Sequence, residues 1–440
     1  MEEVMEQQLA QQYIKRIRSE IAPATGCTEP AAVALCAASA AAQLGQIPRT
    51  LKIEVSDYIF KNAMNVGIPG VTEVGLDIAG AMGAVCGQPE KGLSVLENLT
   101  ASQQQKSREL AGNTTISIVN GGPKVYIHAT VSAGQTSAEA FIEQYHTNIV
   151  QLCKDGQVIW KKEDGEQMPQ QTNASQQVTE NAPLTVRSIW DFIQSVDVDE
   201  LYFLRELVSL NKAIAQEGLS HSYGLQVGLR LHQNAGIGLI QEDLANYAVA
   251  VTAAAADARM AGCEKAVMSV AGSGNQGLTA TLPVIAAAQK ANKSEEVLFK
   301  SLALSILVTI HAKEYIGRLS VLCGCGVASA IGVTAAIVYM FGGQLSQAEM
   351  GIQTMAADIS GMVCDGAKPG CALKIATSVS AAMRAATLAL SGIGATSHDG
   401  IVDQDVEHTL ANLGELVLKG MADTNSTILQ MLLHKASAAQ

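Results

Sequence analysis

The chain has 440 residues, of which 48% are hydrophobic, so it is long enough for two or three domains with sizeable cores. A net charge of −12 and the absence of a Lys/Arg block argue against a nucleic-acid partner. The amino terminus is acidic and lacks the apolar run of a secretory signal, so we expect a cytoplasmic protein. In that compartment the nine cysteines are expected to bind metal, catalyse or pack rather than form disulfides.

Helical spacing near the amino terminus predicts helices at 7–20 and 31–43. A third helix is predicted over 137–153, because Thr136 followed by Glu139 matches a capping box. These helices flank a segment with a different period, so the first part of the chain is expected to mix helices with strands.

Alternation of apolar and polar residues predicts strands at 51–55, 115–119 and 125–131. The turn residues at 120–123 predict that the last two strands form a hairpin. Strands and helices together indicate an α+β region with a small sheet.

A polar segment at 163–184, rich in Gln, Asn, Ser and Thr, predicts an exposed linker. Beyond it, nearly every segment has helical character, so we expect an α+β fold with a mixed amino-terminal region, 1–184, and a large, mostly helical domain, 185–440. The helices predicted in this domain lie at 199–216, 241–261, 278–292, 295–316, 347–363, 371–391 and 403–434.

One uncharged run, residues 319–348, exceeds the roughly 20 residues that cross a bilayer. It contains many glycine and hydroxyl residues, and it lacks flanking tryptophans and a positive-inside bias. We therefore expect a buried core helix here and no membrane association.

The strongest local pattern is the segment 364–371 (CDGAKPGC), in which Gly and Pro end one helix and a second helix begins at Cys371. One tight loop thus presents two thiols, Cys364 and Cys371. The start of the second helix also offers free N–H groups, which favour a thiolate or another anion.

A third sulfur can come from the segment 323–326 (CGCG), where glycines let the backbone approach an inorganic centre closely. Three thiolates suit an iron-sulfur cluster with one iron left open for substrate. Two other interpretations stay open from the spacing alone: buried small hydrophobic side chains, and a closed zinc site of four cysteines.

Cys27 lies within the segment 24–30 (ATGCTEP), just before a predicted helix. The N–H groups of a helix start can lower the pKa of a cysteine and produce a thiolate able to abstract a proton. A structural role for this cysteine is the alternative.

Further polar residues are candidates for binding a substrate. The glycine-rich segment 271–277 (AGSGNQG) precedes a helical run, so backbone N–H groups near Ser273, Gly274 and Asn275 suit a carboxylate or phosphate. Other candidates from the pattern are Lys61, Asn62 and His311, although a hydrogen-bonded core histidine is the alternative for the last.

Taken together, the segments 24–30, 272–277, 323–326 and 364–371 resemble those of the L-cysteine desulfidase family, over nearly the whole chain. That family is related to the alpha domain of iron-sulfur-dependent L-serine dehydratases, in which the last two cluster cysteines lie farther apart. The shorter spacing here favours the desulfidase branch.

The resemblance implies conversion of L-cysteine to pyruvate, ammonia and sulfide with an oxygen-sensitive 4Fe-4S cluster held by three cysteines. Cys364 and Cys371 match two of them, and the third lies in the pair Cys323 and Cys325. Cys323 precedes Cys364 by 41 residues, a separation nearer the family pattern than that of Cys325, so the resemblance favours Cys323. The family's proton acceptor corresponds to Cys27.

Other functions remain open from the sequence. L-Serine dehydratase activity with the same cluster is one, and a pyridoxal-phosphate lyase is another, since residues 273–277 superficially resemble a pyridoxal loop. A non-catalytic, zinc-stabilised amino-acid-binding protein is a third. A small amino acid is the expected partner in each case, and a homo-oligomer is possible.

Overall fold

The computed structural model describes residues 2–97, 99–119, 121–162, 184–234, 237, 241 and 243–438. The first part of the chain forms a six-stranded sheet with helices packed on it. Its strands in sheet order are β3 (Thr114–Val119), β2 (Thr50–Ser56), β4 (Tyr126–Ala133), β5 (Thr136–Glu143), β6 (Ile149–Lys154) and β7 (Gln157–Lys161). Its helices are α2 (Thr28–Leu44), α3 (Asp57–Ala63), α4 (Leu76–Cys86) and α5 (Ala101–Ala111).

One face of this sheet carries the core of the first part. Alternate residues of the central strands, such as Ile53, Ile127 and Ala140, are fully buried and form one hydrophobic cluster with α2 and α4. Helix α2 suits this position because its Ala-rich sequence lets the backbone approach the sheet closely. The sheet therefore holds the start of α2 in a fixed place.

The predicted hairpin between 115–119 and 125–131 is wrong. Both strands exist, but β2 lies between them, parallel to β3 and antiparallel to β4. The turn residues mark where the chain reverses, whereas the pairing partner of β3 is set by burial of the residues on β2.

The predicted helix over 137–153 is also wrong, because this segment forms the strands β5 and β6. Ala138, Ala140 and Ile142 are buried at alternate positions, which is the period of a strand. The hydroxyl of Thr136 donates to the carbonyl of Ala133 instead of capping a helix.

The second part is a bundle of helices, as predicted. The elements are α6 (Val186–Ser195), α7 (Leu204–Ser220), α8 (Val227–Gln233), α9 (Leu244–Met260), β8 (Val267–Val270), α10 (Gly274–Lys290), α11 (Glu295–Ile316), α12 (Ala328–Met340), α13 (Leu345–Ile359), α14 (Cys371–Leu390), α15 (Val406–Glu415) and α16 (Thr424–Ala438). The mixed first part followed by this bundle confirms the predicted α+β fold.

Two elements from the amino terminus pack on the helical bundle. Helix α1 (Glu2–Glu20) buries Tyr13 and Ile17 in the large hydrophobic cluster of the bundle. Strand β1 (Ile21–Ala24) then pairs antiparallel with β8. The chain thus enters the sheet region from the bundle, and the segment directly after β1 lies where the two parts meet. The linker predicted at 163–184 falls almost wholly outside the described residues.

The uncharged run at 319–348 contains a shorter helix than predicted, since α12 begins only at Ala328 and α13 starts at Leu345. Helix α12 is buried in the bundle, as expected for a core helix. Among the described residues, no helix is both long and apolar enough to span a membrane.

Candidate active site

A cavity of about 480 Å³ opens where the sheet region meets the helical bundle. Its walls contain most of the residues singled out from the sequence. Those that line it are Cys27, Asn62, Ser273, Asn275, Cys323, Cys325, Cys364 and Cys371. Segments separated by more than 300 positions in the sequence therefore contribute to one site.

Backbone pairing places two of the cysteine segments side by side. Leu322 and Val363 form an isolated antiparallel bridge, and the N–H of Cys323 donates to the carbonyl of Met362 at 2.8 Å. The N–H of Cys364 donates to the carbonyl of Val321 at 2.7 Å. Cys323 and Cys364 thus directly follow paired residues on two neighbouring segments of the same chain. This pairing holds their side chains on the wall of the same cavity.

Cys371 is the first residue of α14, as the sequence predicts. Its sulfur accepts a hydrogen bond from the N–H of Lys368 at 3.5 Å. Within the described residues, no three His, Cys, Asp or Glu side chains are placed to share a single metal ion. A four-iron cluster is wider than one ion, so its thiolate ligands need not meet at a point.

The loop between the two cysteines interlocks with α3. Lys61 donates to the carbonyl of Cys364 at 3.2 Å, and the N–H of Ala367 donates to the carbonyl of Asn62 at 3.2 Å. Gly366 has a φ of +94°, and a Cβ at this position would collide with the carbonyl of Lys61. Lys61 itself is fully buried and does not line the cavity, so it holds the loop rather than reaching the site.

Three helices begin at the cavity wall. Cys27 precedes α2, Ser273 precedes α10, and Gly370 precedes α14, and none of these residues caps its helix with a side-chain hydrogen bond. The first N–H groups of a helix lack intrahelical partners and carry partial positive charge. The backbone therefore makes this cavity attractive to anions from three directions.

Cys27 lies between these helix starts. Its sulfur is 4.0 Å from the sulfur of Met260, and the neighbouring Arg259 donates to the carbonyl of Gly26 at 2.6 Å and to Asn275 Oδ1 at 3.1 Å. The expectation of a lowered pKa does not hold here, because burial raises the pKa of the Cys27 thiol to about 12, while Arg259 acts to lower it. The thiolate form thus depends on a nearby positive charge.

Three buried cations and one half-buried cation, Lys368, lie around the cysteines. Arg259, Lys61, Lys313 and Lys368 donate to backbone carbonyls or to an amide, and among the described residues no carboxylate lies within 4.0 Å of these four side chains. Burial lowers the pKa of Lys313 to about 8, while Cys325 and Cys364 act to raise it. A buried positive charge without a counterion is costly, so this arrangement suits an anionic occupant.

Comparison with known proteins agrees with this arrangement. Residues 90–430 match the model of the serine dehydratase alpha chain. The chain belongs to the serine dehydratase alpha chain family. Similar proteins include UPF0597 proteins of Oleidesulfovibrio alaskensis (42% identical over 425 residues), Bacteroides fragilis (40% over 427) and Clostridium perfringens (39% over 426); each alignment covers 96% of this chain and 98% of the relative.

Membership of the serine dehydratase alpha chain family confirms the predicted relation to that alpha domain and indicates a lyase. The matched segment includes the cysteines at 323–371 and the glycine-rich turn before α10. Cys27 lies before it, but falls within the near full-length similarity to the relatives.

The thiols of Cys323 and Cys325 contact each other at the cavity of this serine dehydratase alpha family member. The thiol of Cys323 donates toward Cys325, which lowers the pKa of Cys325 to about 7, and Ser273, Arg259 and Lys313 add to that effect. The pKa of Cys323 is raised by the same contact and by burial. Both sulfurs line the cavity, so the geometry leaves either available as a ligand.

Besides Lys61, two predicted substrate residues do not line the cavity. His311 is buried in the bundle, where its Nε2 lies 2.6 Å from Glu407 Oε2, so the alternative of a hydrogen-bonded core histidine describes its surroundings. Gly274 is the first residue of α10 and packs against the guanidinium of Arg259. Of the six residues proposed from the sequence, Asn62, Ser273 and Asn275 line the site.

Several residues that line the cavity were not predicted from the sequence. They include Arg259, Lys313, Glu29 and His146. Arg259 and Lys313 have a recognisable signature, since each is a charged residue near the end of a helix that is otherwise apolar and buried. His146 has none, because it lies on a short connection between two strands that were predicted as a helix.

Proposed function

We propose that the protein is an L-cysteine desulfidase, an iron-sulfur lyase that converts L-cysteine to pyruvate, ammonia and sulfide. The observation that carries the proposal is the cavity whose wall holds five cysteines together with two buried cations, Arg259 and Lys313, which have no carboxylate within 4.0 Å among the described residues. Thiolates and an anionic substrate together supply the missing negative charge. An oxygen-sensitive centre of this kind fits a cytoplasmic location, which we also propose.

The residues at the cavity fit a 4Fe-4S cluster with three protein ligands. We assign Cys364, Cys371 and Cys323 as the ligands, with Cys325 as the alternative to the last. The N–H of Lys368 and the start of α14 would stabilise the sulfur of Cys371 as a thiolate. When bound, such a cluster supplies a Lewis-acidic iron toward the leaving group of the substrate.

The substrate carboxylate fits the start of α10. Ser273 and Asn275 line the cavity there, and the first N–H groups of this helix are not capped by a side chain. Arg259 is held against the same helix start by Asn275, so its charge adds to that of the backbone. With its carboxylate at the start of α10, the amino acid would have its Cα on the side of the cavity where α2 begins.

Cys27 is then placed to act as the general base. Its thiolate, stabilised by Arg259, would take the Cα proton, and the electron pair of the C–H bond would form the Cα–Cβ double bond as the C–S bond breaks. The sulfur departs with the electron pair of the broken bond. The aminoacrylate that remains tautomerises to an imine, which water hydrolyses to pyruvate and ammonia.

L-Serine dehydratase activity is the second candidate, because family membership favours it directly. The same base and carboxylate site serve either amino acid, and only the leaving atom differs. The relative values of kcat/KM for L-cysteine and L-serine decide between them.

The proposal is tested by anaerobic purification followed by iron and sulfide quantitation and by pyruvate assays with L-cysteine and L-serine. We expect about four irons and four sulfides per chain, by the composition of the cluster, and higher kcat/KM for L-cysteine. Zinc without iron, and no pyruvate from either amino acid, would contradict the proposal and favour a binding protein. A borohydride-stable lysine adduct would favour pyridoxal phosphate.

The role of Cys27 is tested with Cys27→Ala. We expect the iron content to stay near that of the wild type and the rate of pyruvate formation to fall by about 100-fold or more, the usual effect of losing a general base. The matched control is Cys36→Ala, since Cys36 is equally buried on the same helix but its thiol donates to the carbonyl of Ala140, away from the cavity. Full activity in Cys27→Ala would exclude it as the base.

A further inference from the structure

The cavity has a wall that differs in charge from the rest. Of the carboxylates that line it, Glu20 accepts hydrogen bonds from Arg318 at 2.7 Å through both oxygens. Glu29 is the other, and its Oε1 accepts a hydrogen bond at 2.8 Å from the side-chain amide of Asn62. Its side chain is 12% exposed, so a largely buried carboxylate without an arginine or lysine partner faces the site.

Two further buried atoms near Glu29 have no hydrogen-bond partner in the described part of the chain. Asn62 gives its Nδ2 to the carboxylate, which can only accept, so its Oδ1 must point elsewhere, and this oxygen is buried and unpartnered. His146 places its Nε2 at 4.0 Å from Glu29 Oε1, and this nitrogen is also buried without a partner. Buried polar atoms are nearly always hydrogen-bonded, so these two indicate a missing donor.

All three groups can accept a hydrogen bond. Burial lowers the pKa of His146, with Glu29 acting to raise it and Arg318 to lower it, and this net shift favours the neutral imidazole. In the tautomer that carries its proton on Nδ1, Nε2 is an acceptor. Asn62 Oδ1 belongs to the amide that contacts Glu29, so it lies within a few ångströms of the same carboxylate oxygen. The group that fits beside them is a cation with several N–H donors.

We propose that Glu29, Asn62 and His146 form the receptor for the α-ammonium group of the substrate. A primary ammonium has three donors and one positive charge, which match three acceptors of which one is a carboxylate. This inference rests on the proposed function for the identity of the substrate, and it assigns Asn62, a substrate-binding candidate from the sequence, to the amino group.

The assignment also explains how the Cα of the substrate reaches Cys27. Glu29 lies two positions after Cys27, in the first turn of α2. An ammonium nitrogen held at Glu29 is bonded directly to Cα, so Cα lies next to the start of α2, where the sulfur of Cys27 is. The carboxylate, repelled by Glu29, turns toward Arg259 and the start of α10. The site thus selects amino acids over the corresponding carboxylic acids.

Binding of L-alanine and of propanoate to the anaerobic, cluster-loaded protein tests the receptor by isothermal titration calorimetry. The two ligands differ only in the amino group, and neither has a leaving group. We expect the wild-type protein to bind L-alanine at least about 30-fold more tightly, a difference typical of one buried charge pair. In Glu29→Gln the two affinities should agree within about threefold. The matched control, Glu139→Gln, removes a carboxylate that lies on the sheet beside His128 and should keep the wild-type preference.

Asn62→Ala and His146→Ala provide a second measurement should Glu29→Gln fail to fold. Each removes one acceptor, and we expect each to reduce the preference for L-alanine by about fivefold or more. A preference that persists in all three variants, or its absence from the wild type, would overturn the receptor. Failure of the proposed function has a separate readout, because it would abolish pyruvate formation by the wild type without removing the preference for L-alanine.

Discussion

A buried guanidinium is normally matched by a carboxylate, and Arg259 departs from that rule. It is 3% exposed, and its hydrogen bonds go to the carbonyl of Gly26 and to Asn275, while its Nε has no partner. Its charge therefore acts on whatever occupies the cavity, and on the thiol of Cys27. A single side chain thus links the proposed carboxylate site to Cys27, the proposed proton acceptor.

His311 illustrates how a residue type misleads when its neighbours are unknown. Burial acts to lower its pKa, but the nearby carboxylates outweigh burial, and the pKa is raised: Glu407 is hydrogen-bonded to Nε2 at 2.6 Å, and Glu314 lies 3.6 Å from Nδ1. A raised folded-state pKa means that the protonated form stabilises the protein below the ordinary pKa of histidine, and that this contribution is lost as pH rises through the folded-state value.

We therefore expect His311→Gln to unfold more easily than the wild type at pH 6, by about 1 to 3 kcal/mol, the usual contribution of hydrogen bonds to charged groups. The difference should shrink as the pH rises through the raised pKa of His311 in the folded protein, where the histidine loses its proton. Urea unfolding at pH 6 and over a series of higher pH values gives the measurement. The KM for L-cysteine should not change, and a raised KM would restore His311 as a substrate residue.

At this scale the sequence located the cysteines well and the charged residues poorly. Close spacing and flanking glycines identify Cys364 and Cys371 as partners in one loop. Glu29 and His146 are 117 positions apart and meet only because β5 and β6 are strands. A local pattern cannot report a contact that depends on the pairing of distant segments.

At the scale of elements, predictions succeeded where local properties decide. Helix α11 has the predicted bounds, since its cap at Ser294 and its last turn are both local features. The predicted helix at 137–153 failed because alternate burial in the sheet outweighed a capping-box pattern. The β1–β8 ladder was not predicted, because each strand has only four residues.

The loop at 364–371 offers a test of how closely its backbone must pack against Lys61 of α3. Gly366→Ala should lower the iron content after anaerobic reconstitution to below about half that of the wild type, because its positive φ and the carbonyl of Lys61 both oppose a Cβ. The control is Gly370→Ala in the same loop, where φ is −61° and a Cβ would meet no atom within 4 Å. Equal iron content in both variants would show that the loop adapts.

At the scale of the whole molecule, two hydrophobic cores meet at one charged cavity. The sheet region contributes α2 and α3, and the bundle contributes the cysteine loops and the buried cations Arg259 and Lys313. Helix α16 also packs on α3, where Asn425 donates to Asp57. The division into a mixed part and a helical part was predictable from composition, but the cavity between them was not.

Removal of the proposed iron-sulfur cluster should therefore destabilise the whole protein. The buried cations then repel one another without a counterion, and ligand binding to the folded state no longer adds to stability. We expect the unfolding temperature of the anaerobic protein to fall by about 3 °C or more after chelation. The same chelator should leave the unfolding temperature of Cys364→Ser unchanged, and equal values for loaded and chelated wild type would contradict the assignment.

The three helix starts at the cavity have a consequence for how the protein matures. A missing N-cap costs a helix about 1 kcal/mol, and Ser273 has a hydroxyl that usually caps but lies instead 3.6 Å from the sulfur of Cys325. The first N–H groups of α2, α10 and α14 thus lack a side-chain cap at the cavity. We expect the proposed cluster to supply the missing negative charge, so that its insertion also stabilises these three helix starts.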